Sequence, residues 1–374
     1  MSRSALSARL DELHAICQRL GSVRIMEICG THTVSFFRTG IKSLLPANLR
    51  LVSGPGCPVC VTSQGYIDAA CDIASRPNVI VCTYGDMVRV PGRNGSLEHQ
   101  RGHGAHVTVV YSARDAVRIA AEHPTRDVVF LAVGFETTAP ATAAAILEAR
   151  QRGLTNFCVL SGHKLVIPAM TALLSAGDVP IDGFLCPGHV SVIIGTAAYA
   201  PIVETFRKPC LVAGFEPDQM LSGLIHIVRM IERGQAGLDN VYRVAVSASG
   251  NSQARKLLEE VFEPADTVWR AMGVIPQSGL SVRPAFAGFD ALNRFQITIG
   301  PDYDPPGCRC GEVIQGRLEP ADCPLFVKKC TPLHPIGPCM VSSEGTCAAW
   351  YKYGRHAGTR HATPTVRTVG VPSA

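Results

Sequence analysis

Short apolar runs of strand length alternate with helical patterns along most of this chain. The strand-like runs cover residues 24–29, 49–53, 78–83, 107–112, 128–133, 156–161, 183–186, 209–213 and 241–246. Segments with helical patterns lie between or after them, over residues 68–75, 115–123, 141–152, 164–176, 217–233 and 252–262. This alternation predicts an α/β fold in which parallel strands form sheets that are covered by helices on both faces.

The length of the chain allows more than one unit of this kind. At 374 residues it can hold two or three domains of roughly 100 to 150 residues each. We expect two doubly wound parallel-sheet domains, over residues 24–150 and 151–280. A short internal echo supports the division, because Val133-Gly134-Phe135-Glu136 and Ala213-Gly214-Phe215-Glu216 each end a strand and precede a helix with an early proline.

The two ends of the chain differ from this α/β pattern. Residues 281–355 are rich in proline, glycine and cysteine without a sustained period, which predicts a small irregular domain that needs a staple such as a metal. Residues 1–23 have apolar side chains at helical spacing, and we expect a helix that packs on this C-terminal domain. Residues 356–374 are polar and are predicted to form a flexible tail.

Charge and hydropathy exclude several classes of protein. Lys and Arg number 35 against 30 Asp and Glu, without the basic stripe that is typical of nucleic-acid binding. The longest apolar runs are strand-sized, so no membrane span is expected, and the first residues have no apolar core of a secretory signal. We therefore expect a cytoplasmic globular protein without a nucleic-acid or membrane partner. Its 15 cysteines then favour metal binding or redox chemistry over a disulfide framework.

Polar and cysteine-containing segments follow the ends of several predicted strands. They cover residues 29–33, 57–60, 83–86, 134–138, 161–164 and 186–189. In doubly wound sheets, ligands bind outside the carboxyl ends of the strands. These segments are therefore predicted to face one cleft.

Cys57 and Cys60 form a Cys-x-x-Cys pair within the stretch Gly54-Pro-Gly-Cys-Pro-Val-Cys60. In an intracellular protein this spacing is typical of a redox dithiol or of half a metal site, because both sulfurs can reach one partner or each other. Two incidental cysteines in a loop are nearly as common when such a pair stands alone. The other strand-end segments favour the functional interpretation.

Cys29, His32 and Glu136 are further candidates at strand ends. Cys29 precedes a predicted helix, whose dipole together with His32 would favour the thiolate, a soft iron ligand or a nucleophile. A small buried hydrophobic residue is an equally common role for such a cysteine. Glu136 is a candidate acid or base, although capping of the next helix is the commoner role. His163 with Lys164 is a weaker candidate for anion binding, since such pairs are usually half exposed.

Six cysteines occur close together near the end of the chain. They are Cys308, Cys310, Cys323, Cys330, Cys339 and Cys347. Four thiolates are enough for a cubane iron–sulfur cluster or for an all-cysteine zinc site. The segment is therefore predicted to bind a metal, and the spacing alone does not choose between iron and zinc.

Together these motifs resemble those of the HypD family of hydrogenase maturation factors. The matching stretches are Cys29-Gly-Thr-His-Thr33, Gly54-Pro-Gly-Cys-Pro-Val-Cys60, Gly134-Phe-Glu-Thr-Thr138, Asp182-Gly-Phe-Leu-Cys-Pro-Gly-His-Val-Ser191, Cys323-Pro-Leu-Phe326, Gly337-Pro-Cys-Met-Val-Ser342 and Cys347-Ala-Ala349. The resemblance runs over about residues 20–354. One departure is Val61-Thr62-Ser63, where we expect the family to have proline at the third position, and it affects the stiffness of the loop more than its chemistry.

The resemblance implies a [4Fe-4S] cluster on Cys308, Cys323, Cys330 and Cys347. These four fit the spacing C-x14-C-x6-C-x16-C of the family, which omits Cys310 and Cys339.

The resemblance also implies roles for the cysteines at the strand ends. Cys29, together with a small HypC-type partner, would hold an iron that carries cyanide and carbon monoxide. Cys57 and Cys60 would cycle between dithiol and disulfide and are candidate iron ligands as well. A HypE-type protein would supply the cyanide.

The function implied is a scaffold and redox protein for assembly of the Fe(CN)2CO centre of [NiFe] hydrogenase. In it Cys29 is the ligand, His32 tunes Cys29, and Glu136 is a candidate acid or base. Two other classes stay open. A thioredoxin-like thiol-disulfide oxidoreductase needs only Cys57 and Cys60, and a zinc-stapled binding protein is colourless and contains zinc.

Overall fold

Strands account for the centre of the molecule in the computed structural model, which describes residues 3–354. The tail predicted over residues 356–374 lies outside the described residues. The strands are β1 (Val23–Glu27), β2 (Leu49–Ser53), β3 (Val79–Thr83), β4 (His106–Val109), β5 (Asp127–Gly134), β6 (Phe157–His163), β7 (Gly183–Pro187), β8 (Cys210–Ala213), β9 (Leu238–Asn240), β10 (Phe262–Trp269) and β11 (Gly273–Val282).

Helices precede, connect and follow these strands. They are α1 (Arg3–Gln18), α2 (Gly30–Arg38), α3 (Pro58–Val61), α4 (Gln64–Ala74), α5 (Leu97–Gly102), α6 (Ala113–Glu122), α7 (Ala139–Gln151), α8 (Val166–Ala176), α9 (Gly188–Ile194), α10 (Ala200–Phe206), α11 (Pro217–Glu232), α12 (Ser252–Val261), α13 (Ala291–Phe295), α14 (Cys310–Ile314), α15 (Pro338–Val341) and α16 (Thr346–Tyr353). Short 3-10 turns occur at Ile41–Leu44, Gly85–Met87, Thr196–Tyr199, Pro284–Phe289 and Pro320–Asp322.

Two parallel sheets form the body of the protein. Sheet I has the strand order β2-β1-β7-β8-β9, and sheet II has the order β4-β3-β5-β6. Every pairing within both sheets is parallel. Strands β10 and β11 form a separate antiparallel hairpin. The α/β class with parallel sheets, predicted from the alternation of strands and helices, is therefore confirmed.

The sheets do not divide where the predicted domains divide. Strands β1 and β2 lie in sheet I, the next four strands form sheet II, and the chain then returns to sheet I. Both proposed halves, 24–150 and 151–280, thus contribute to both sheets. The physical reason is that parallel strands require long crossover connections, and the length of a crossover does not reveal which sheet the next strand joins.

One predicted strand is replaced by turns. The run over residues 241–246 forms no strand, and the chain leaves sheet I at Asn240 instead. The Asn240 side chain accepts a hydrogen bond from the Tyr242 amide at 2.7 Å and donates to the Val246 carbonyl at 2.9 Å. These local bonds compete with the strand ladder, as asparagine side chains often do.

The N-terminal helix does not pack where it was expected. Helix α1 lies against α11 beside sheet I, and the prediction that it packs on the C-terminal domain is wrong. Leu13 and Cys17 are fully buried in a cluster with Leu221 and Leu224 of α11. Helical spacing identifies the apolar stripe of α1, but it does not identify the surface that covers the stripe.

The apolar core has three parts that follow the layers of the fold. One part joins sheet I to α1 and α11, and another joins sheet II to α6, α7 and α12. The largest part joins the other faces of both sheets and extends to the short helices α3, α14 and α15. The cysteine-rich C-terminal segment is therefore packed on the α/β body.

Within the described residues, no single helix is both long enough and apolar enough to cross a membrane. Gly188–Ile194 and Thr196–Phe206 meet the length and composition only when taken together, and they are bent by 102°.

Candidate functional site

A large cavity opens where the carboxyl ends of the two sheets meet. It has a volume of about 520 Å³. Each sheet has a point where the strand order reverses, between β1 and β7 in sheet I and between β3 and β5 in sheet II. The cavity is lined by residues at or just after the ends of these four strands and of β2. They include Ile28, Cys29, Gly56, Tyr84, Gly134, Phe135 and His189. Ligands bind at such switch points in doubly wound sheets, and the predicted convergence is confirmed for five of the six strand-end segments. Residues 161–164 do not line this cavity.

The C-terminal segment closes one wall of this cavity. The carboxylate of Asp86 accepts hydrogen bonds from the Ser342 hydroxyl at 3.0 Å and from the Ser343 amide and hydroxyl at 2.8 Å each. The Thr31 hydroxyl donates to the Glu344 carboxylate at 2.6 Å. A loop of sheet II and the loop that contains Cys29 are thus both tied to the cysteine-rich tail.

Cys29 faces the cavity from the start of α2. It occupies the position before the first helical residue, and 9% of its surface is exposed. Burial and the nearby Glu344 carboxylate raise the pKa of the Cys29 thiol to about 11, although hydrogen bonds from Thr31 and from the His32 amide act in the opposite direction. The hydrogen bonds at the start of α2 do lower the pKa of Cys29, as expected, but the burial of the thiol raises it by more.

The His32 side chain points away from Cys29 and is buried. Its Nε2 lies 3.0 Å from the carbonyl oxygen of Gly214, and its ring packs on Phe215 with centroids 4.6 Å apart. Burial lowers the pKa of His32 to about 4, so the ring is neutral near pH 7. The expectation that the His32 side chain favours the Cys29 thiolate therefore does not match this geometry. His32 contributes through its backbone amide instead.

Cys57 and Cys60 form a disulfide, with Cα atoms 5.2 Å apart. The Cys60 amide donates to Cys57 Sγ at 3.1 Å. Both residues are buried, with exposures of 4% and 0%. In this oxidised form neither sulfur is a free thiolate for iron. The loop approaches Cys29 closely, since a Cβ placed on Gly56 would lie 2.6 Å from Cys29 Cα.

Glu136 belongs to a different cavity from its sequence neighbours. Gly134 and Phe135 line the cavity beside Cys29, whereas Glu136 lines a second one of about 290 Å³ with residues of α8, α12 and β11. Its Oε1 accepts from the Val166 amide at the start of α8 at 2.9 Å, while Oε2 is buried without a hydrogen-bond partner. The next helix along the chain, α7, has no side-chain cap among the described residues, so the expected capping of that helix by Glu136 is not observed. Burial raises its pKa to about 7. Placing Glu136 in the same cleft as Cys29 is thus wrong, because successive residues after the strand point to opposite sides.

His163 and Lys164 are buried rather than half exposed. His163 Nε2 lies 3.0 Å from the Thr142 hydroxyl, and Lys164 Nζ donates to the Val268 carbonyl at 2.9 Å. Burial lowers the pKa of Lys164 to about 7. Neither residue lines the cavity beside Cys29.

All six tail cysteines line one small cavity near α3. They are Cys308, Cys310, Cys323, Cys330, Cys339 and Cys347. The Cys310 thiol donates to the Cys308 sulfur, which lowers the pKa of Cys308 to about 7. Cys347 acts in the same way on Cys339 and lowers its pKa. Two sulfurs of the cavity are thus favoured as thiolates, the form that binds metal.

Six cysteine sulfurs are suitable metal donors, although their side chains are not close enough together to define a metal site by distance. Among residues 3–354, no three His, Cys, Asp or Glu side chains converge closely enough to define a metal site by distance alone. Four thiolates are the donor set of a cubane cluster or a structural zinc. The cavity offers six soft donors, including the four that match the family spacing.

Helix α3 lies between the two sulfur-containing regions. It contains Cys60, and it contacts both α14 and α15, which contribute Cys310 and Cys339 to the tail cavity. On its other side, Pro58 and Val59 line the cavity beside Cys29. The three groups of cysteines predicted from sequence are therefore neighbours through one short helix.

Sequence patterns do not indicate two of the residues that shape these regions. Glu344 lies in the cavity beside Cys29 but follows an irregular serine pair, and no spacing marks it. Arg270 is completely buried beside α3, in the turn between β10 and β11, and belongs to none of the motifs.

Comparison with known proteins decides the family. A family model described as "Hydrogenase formation hypA family" (HypD) matches residues 4–354. The chain is 47% identical over 339 residues to the "Hydrogenase maturation factor HypD" of Azotobacter vinelandii, covering 89% of each chain. The chain belongs to the HypD family. Its similarity to the HypD proteins of Cupriavidus necator, 47% over 338 residues, and Escherichia coli K12, 46% over 332 residues, covers 88% of this chain and 89% of each relative.

The family match covers all three groups of cysteines. The family match includes the whole of the described α/β body and the cysteine-rich segment. The three cysteine groups therefore lie within one family match and not in separate ones.

Proposed function

We propose that this protein is a hydrogenase maturation factor that serves as scaffold and redox protein for the Fe(CN)2CO centre of [NiFe] hydrogenase. The observation that carries the proposal is the convergence of Cys29, the Cys57–Cys60 disulfide and the tail cysteines around α3. The names of the HypD relatives support the process, since they are described as hydrogenase maturation factors.

In this proposal Cys29 holds the iron that is being assembled, which is cargo and not a resident cofactor. A soft thiolate donor suits a ferrous iron that carries cyanide and carbon monoxide. The high pKa of the Cys29 thiol means that iron binding must release its proton, as metal binding to a thiol does.

The open mouth of the cavity beside Cys29 supports the partner assignment. The cavity is open, and Tyr111 at its edge is 94% exposed. An exposed aromatic ring beside a functional cavity is typical of an interface. We assign the cover to a HypC-type protein and the supply of cyanide to a HypE-type protein.

In the same proposal, the tail cavity holds a [4Fe-4S] cluster on Cys308, Cys323, Cys330 and Cys347. When bound, such a cluster transfers single electrons at low potential. Opening the Cys57–Cys60 disulfide takes two electrons and two protons and gives two thiols. An external one-electron donor of low potential must supply these electrons, and α3 provides the short route between the cavity and the disulfide.

A thioredoxin-like reductase is the alternative that needs only Cys57 and Cys60. In thiol-disulfide exchange the attacking sulfur must reach a sulfur of the substrate. Burial of both cysteines, with Cys60 at 0% exposure, therefore disfavours this alternative.

Anaerobic purification with metal analysis and an ultraviolet–visible spectrum tests the proposal. We expect a brown protein with about four irons per chain, and Cys323→Ser should lose most of the iron. Cys158→Ala is the matched control, because Cys158 is buried in the core with no metal role and its replacement should keep the iron. Stoichiometric zinc in a colourless protein would support the zinc-stapled alternative and refute the cluster.

Cys29→Ala tests the scaffold role separately from the cluster. We expect this variant to keep its brown colour and to abolish hydrogenase maturation in a strain that lacks the native protein. A thioredoxin-like enzyme would keep its disulfide reductase activity in the same variant. Normal hydrogenase activity would refute the role of Cys29.

A further inference from the structure

Arg270 is a buried cation with unused hydrogen-bonding groups. It follows β10 directly and is 0% exposed. Its amide donates to the Val61 carbonyl at 2.9 Å, and its Nε donates to the Thr62 carbonyl at 3.1 Å. Both guanidinium nitrogens Nη1 and Nη2 are buried without a hydrogen-bond partner. The side chain is therefore fixed at the end of α3, with the more charged part of the guanidinium left free.

Neighbouring carboxylates do not neutralise this charge by direct contact. Asp302 accepts from the Gln64 amide at 2.7 Å and from the Ala271 amide at 2.8 Å. Asp304 is near enough for the Arg270 charge to oppose the rise of its pKa. Within the described part of the chain, however, Arg270 forms no ion pair. A buried guanidinium without a counter-charge is unfavourable unless a negative group approaches it.

The position of Arg270 suggests which negative group this is. On one side its hydrogen bonds reach the end of α3, the helix of Cys60. On the other side Ala271 contacts α14, since a Cβ on Gly311 would lie 2.3 Å from Ala271 Cβ, and Gln315 Nε2 donates to the Ala271 carbonyl at 2.9 Å. The cation thus lies between the disulfide and the helix that begins at Cys310.

We propose that Arg270 is a positioning residue for electron transfer, whose fixed charge stabilises the reduced, more negative state of the sulfur groups on both sides of it. The inference rests on the redox part of the proposed function. Arg270 itself gains or loses neither electrons nor protons. Two electrons and one proton, from an added dithiol or from an external one-electron donor with solvent, convert the Cys57–Cys60 disulfide to one thiol and one thiolate, and Arg270 favours this thiolate before a second proton is taken up.

The test measures the ratio of dithiol to disulfide at Cys57 and Cys60 in buffers of fixed dithiothreitol ratio. The thiols are trapped with iodoacetamide and counted by mass spectrometry in the purified full chain. We expect Arg270→Met to lower the ratio by about tenfold, the effect that one unit charge has across about 12 Å at an effective dielectric constant of about 20. Arg270→Lys keeps the charge and should stay within about threefold of the parent protein.

A matched control shows whether the effect is specific to position 270 or follows from replacing any arginine by methionine. Arg283 lies at the end of β11, half exposed and paired with Glu263 at 3.4 Å. Arg283→Met should leave the ratio unchanged. A folded Arg270→Met variant, checked by its thermal midpoint, with the ratio of the parent protein would overturn the proposal.

A second variant keeps the proposal testable if Arg270→Met does not fold. Asp304→Asn removes a negative charge near Arg270 and should move the ratio toward dithiol, opposite to Arg270→Met. An unchanged ratio in this variant also contradicts the proposal. These readouts do not require a bound metal, so a preparation without iron refutes the cluster assignment and leaves the assignment of Arg270 to be decided by the dithiol ratio.

Discussion

Gly56 lies against Cys29 with no space for a side chain between them. A Cβ on Gly56 would be 2.3 Å from the carbonyl oxygen of Ile28 and 2.6 Å from Cys29 Cα. The Gly30 amide donates to the Gly56 carbonyl at 3.4 Å across the same contact. The Cys57–Cys60 loop is therefore held beside the start of α2 by backbone contact.

Gly56→Ala should separate these two segments. We expect a loss of about 1–3 kcal/mol in the free energy of unfolding, since the added methyl group meets backbone atoms that cannot move independently. Hydrogenase maturation should fall by more than the loss of stability explains, because Cys29 and the Cys57–Cys60 loop no longer lie in contact. Gly21→Ala is the control, as nothing lies within 4 Å of its Cβ position. Equal maturation by both variants would show that the contact has no functional role.

Asp86→Ala should release the C-terminal wall of the cavity beside Cys29. The carboxylate accepts three hydrogen bonds from Ser342 and Ser343, and their loss should destabilise the contact by about 1–3 kcal/mol. Hydrogen–deuterium exchange should report faster exchange in peptides that contain the Ser343 amide. The control is Asp72→Ala, which removes only an exposed ion pair with Arg76 at 3.1 Å. Unchanged exchange at Ser343 would mean that other contacts hold this wall.

Glu344→Gln should make the Cys29 thiol more reactive. The Glu344 carboxylate raises the pKa of Cys29, so removing its charge increases the thiolate fraction at any pH below about 11. We expect alkylation of Cys29 by iodoacetamide at pH 8 to become several-fold faster, measured by mass spectrometry of the Cys29 peptide.

His32→Gln is the counterpart of this variant and should leave the alkylation rate of Cys29 unchanged. The ring is neutral at pH 8, because burial lowers its pKa to about 4. Glutamine retains an N–H donor for the Gly214 carbonyl, and the backbone amide at position 32 is not altered. A several-fold slower rate in this variant would restore the electrostatic role expected from the sequence.

The sequence predicts the strand ends well and the pairing of strands poorly. A run such as 128–133 is recognisable because a strand buried on both faces is continuously apolar. The polar segment after it is recognisable because it interrupts this apolar run. Nothing local to residues 24–29 indicates that β1 pairs with β7, which begins at Gly183. Sheet membership depends on contacts between distant residues, and a boundary at residue 150 followed from assuming contiguous units.

The sequence does not show in which direction an individual side chain points. Cys29 faces the cavity as predicted, whereas His32, three residues later on α2, faces Gly214. Gly134 and Phe135 line the cavity, while Glu136 turns away from it. Motif membership identifies which residues are unusual, but the backbone dihedral angles after each strand decide which side they face.

Glu136 should give the protein a stability that depends on pH between about 4.5 and 7. Burial raises its pKa in the folded state to about 7 from the ordinary value of 4.5, so the folded protein binds more protons than the unfolded chain in this window. Its contribution is therefore fully present below pH 4.5 and is lost as pH rises through 7.

Glu136→Gln removes this dependence while keeping an oxygen that can accept from the Val166 amide. The variant should gain stability relative to the parent protein between pH 5 and pH 8, by up to about 3 kcal/mol from 1.36 kcal/mol for each pH unit. Thermal or urea unfolding of both proteins at several pH values measures the difference. Buried His32 and His163 also titrate on unfolding, but they are common to both proteins and cancel in the comparison. A difference that stays constant across this range would mean that Glu136 remains ionised in its cavity, with Oε2 bonded to water.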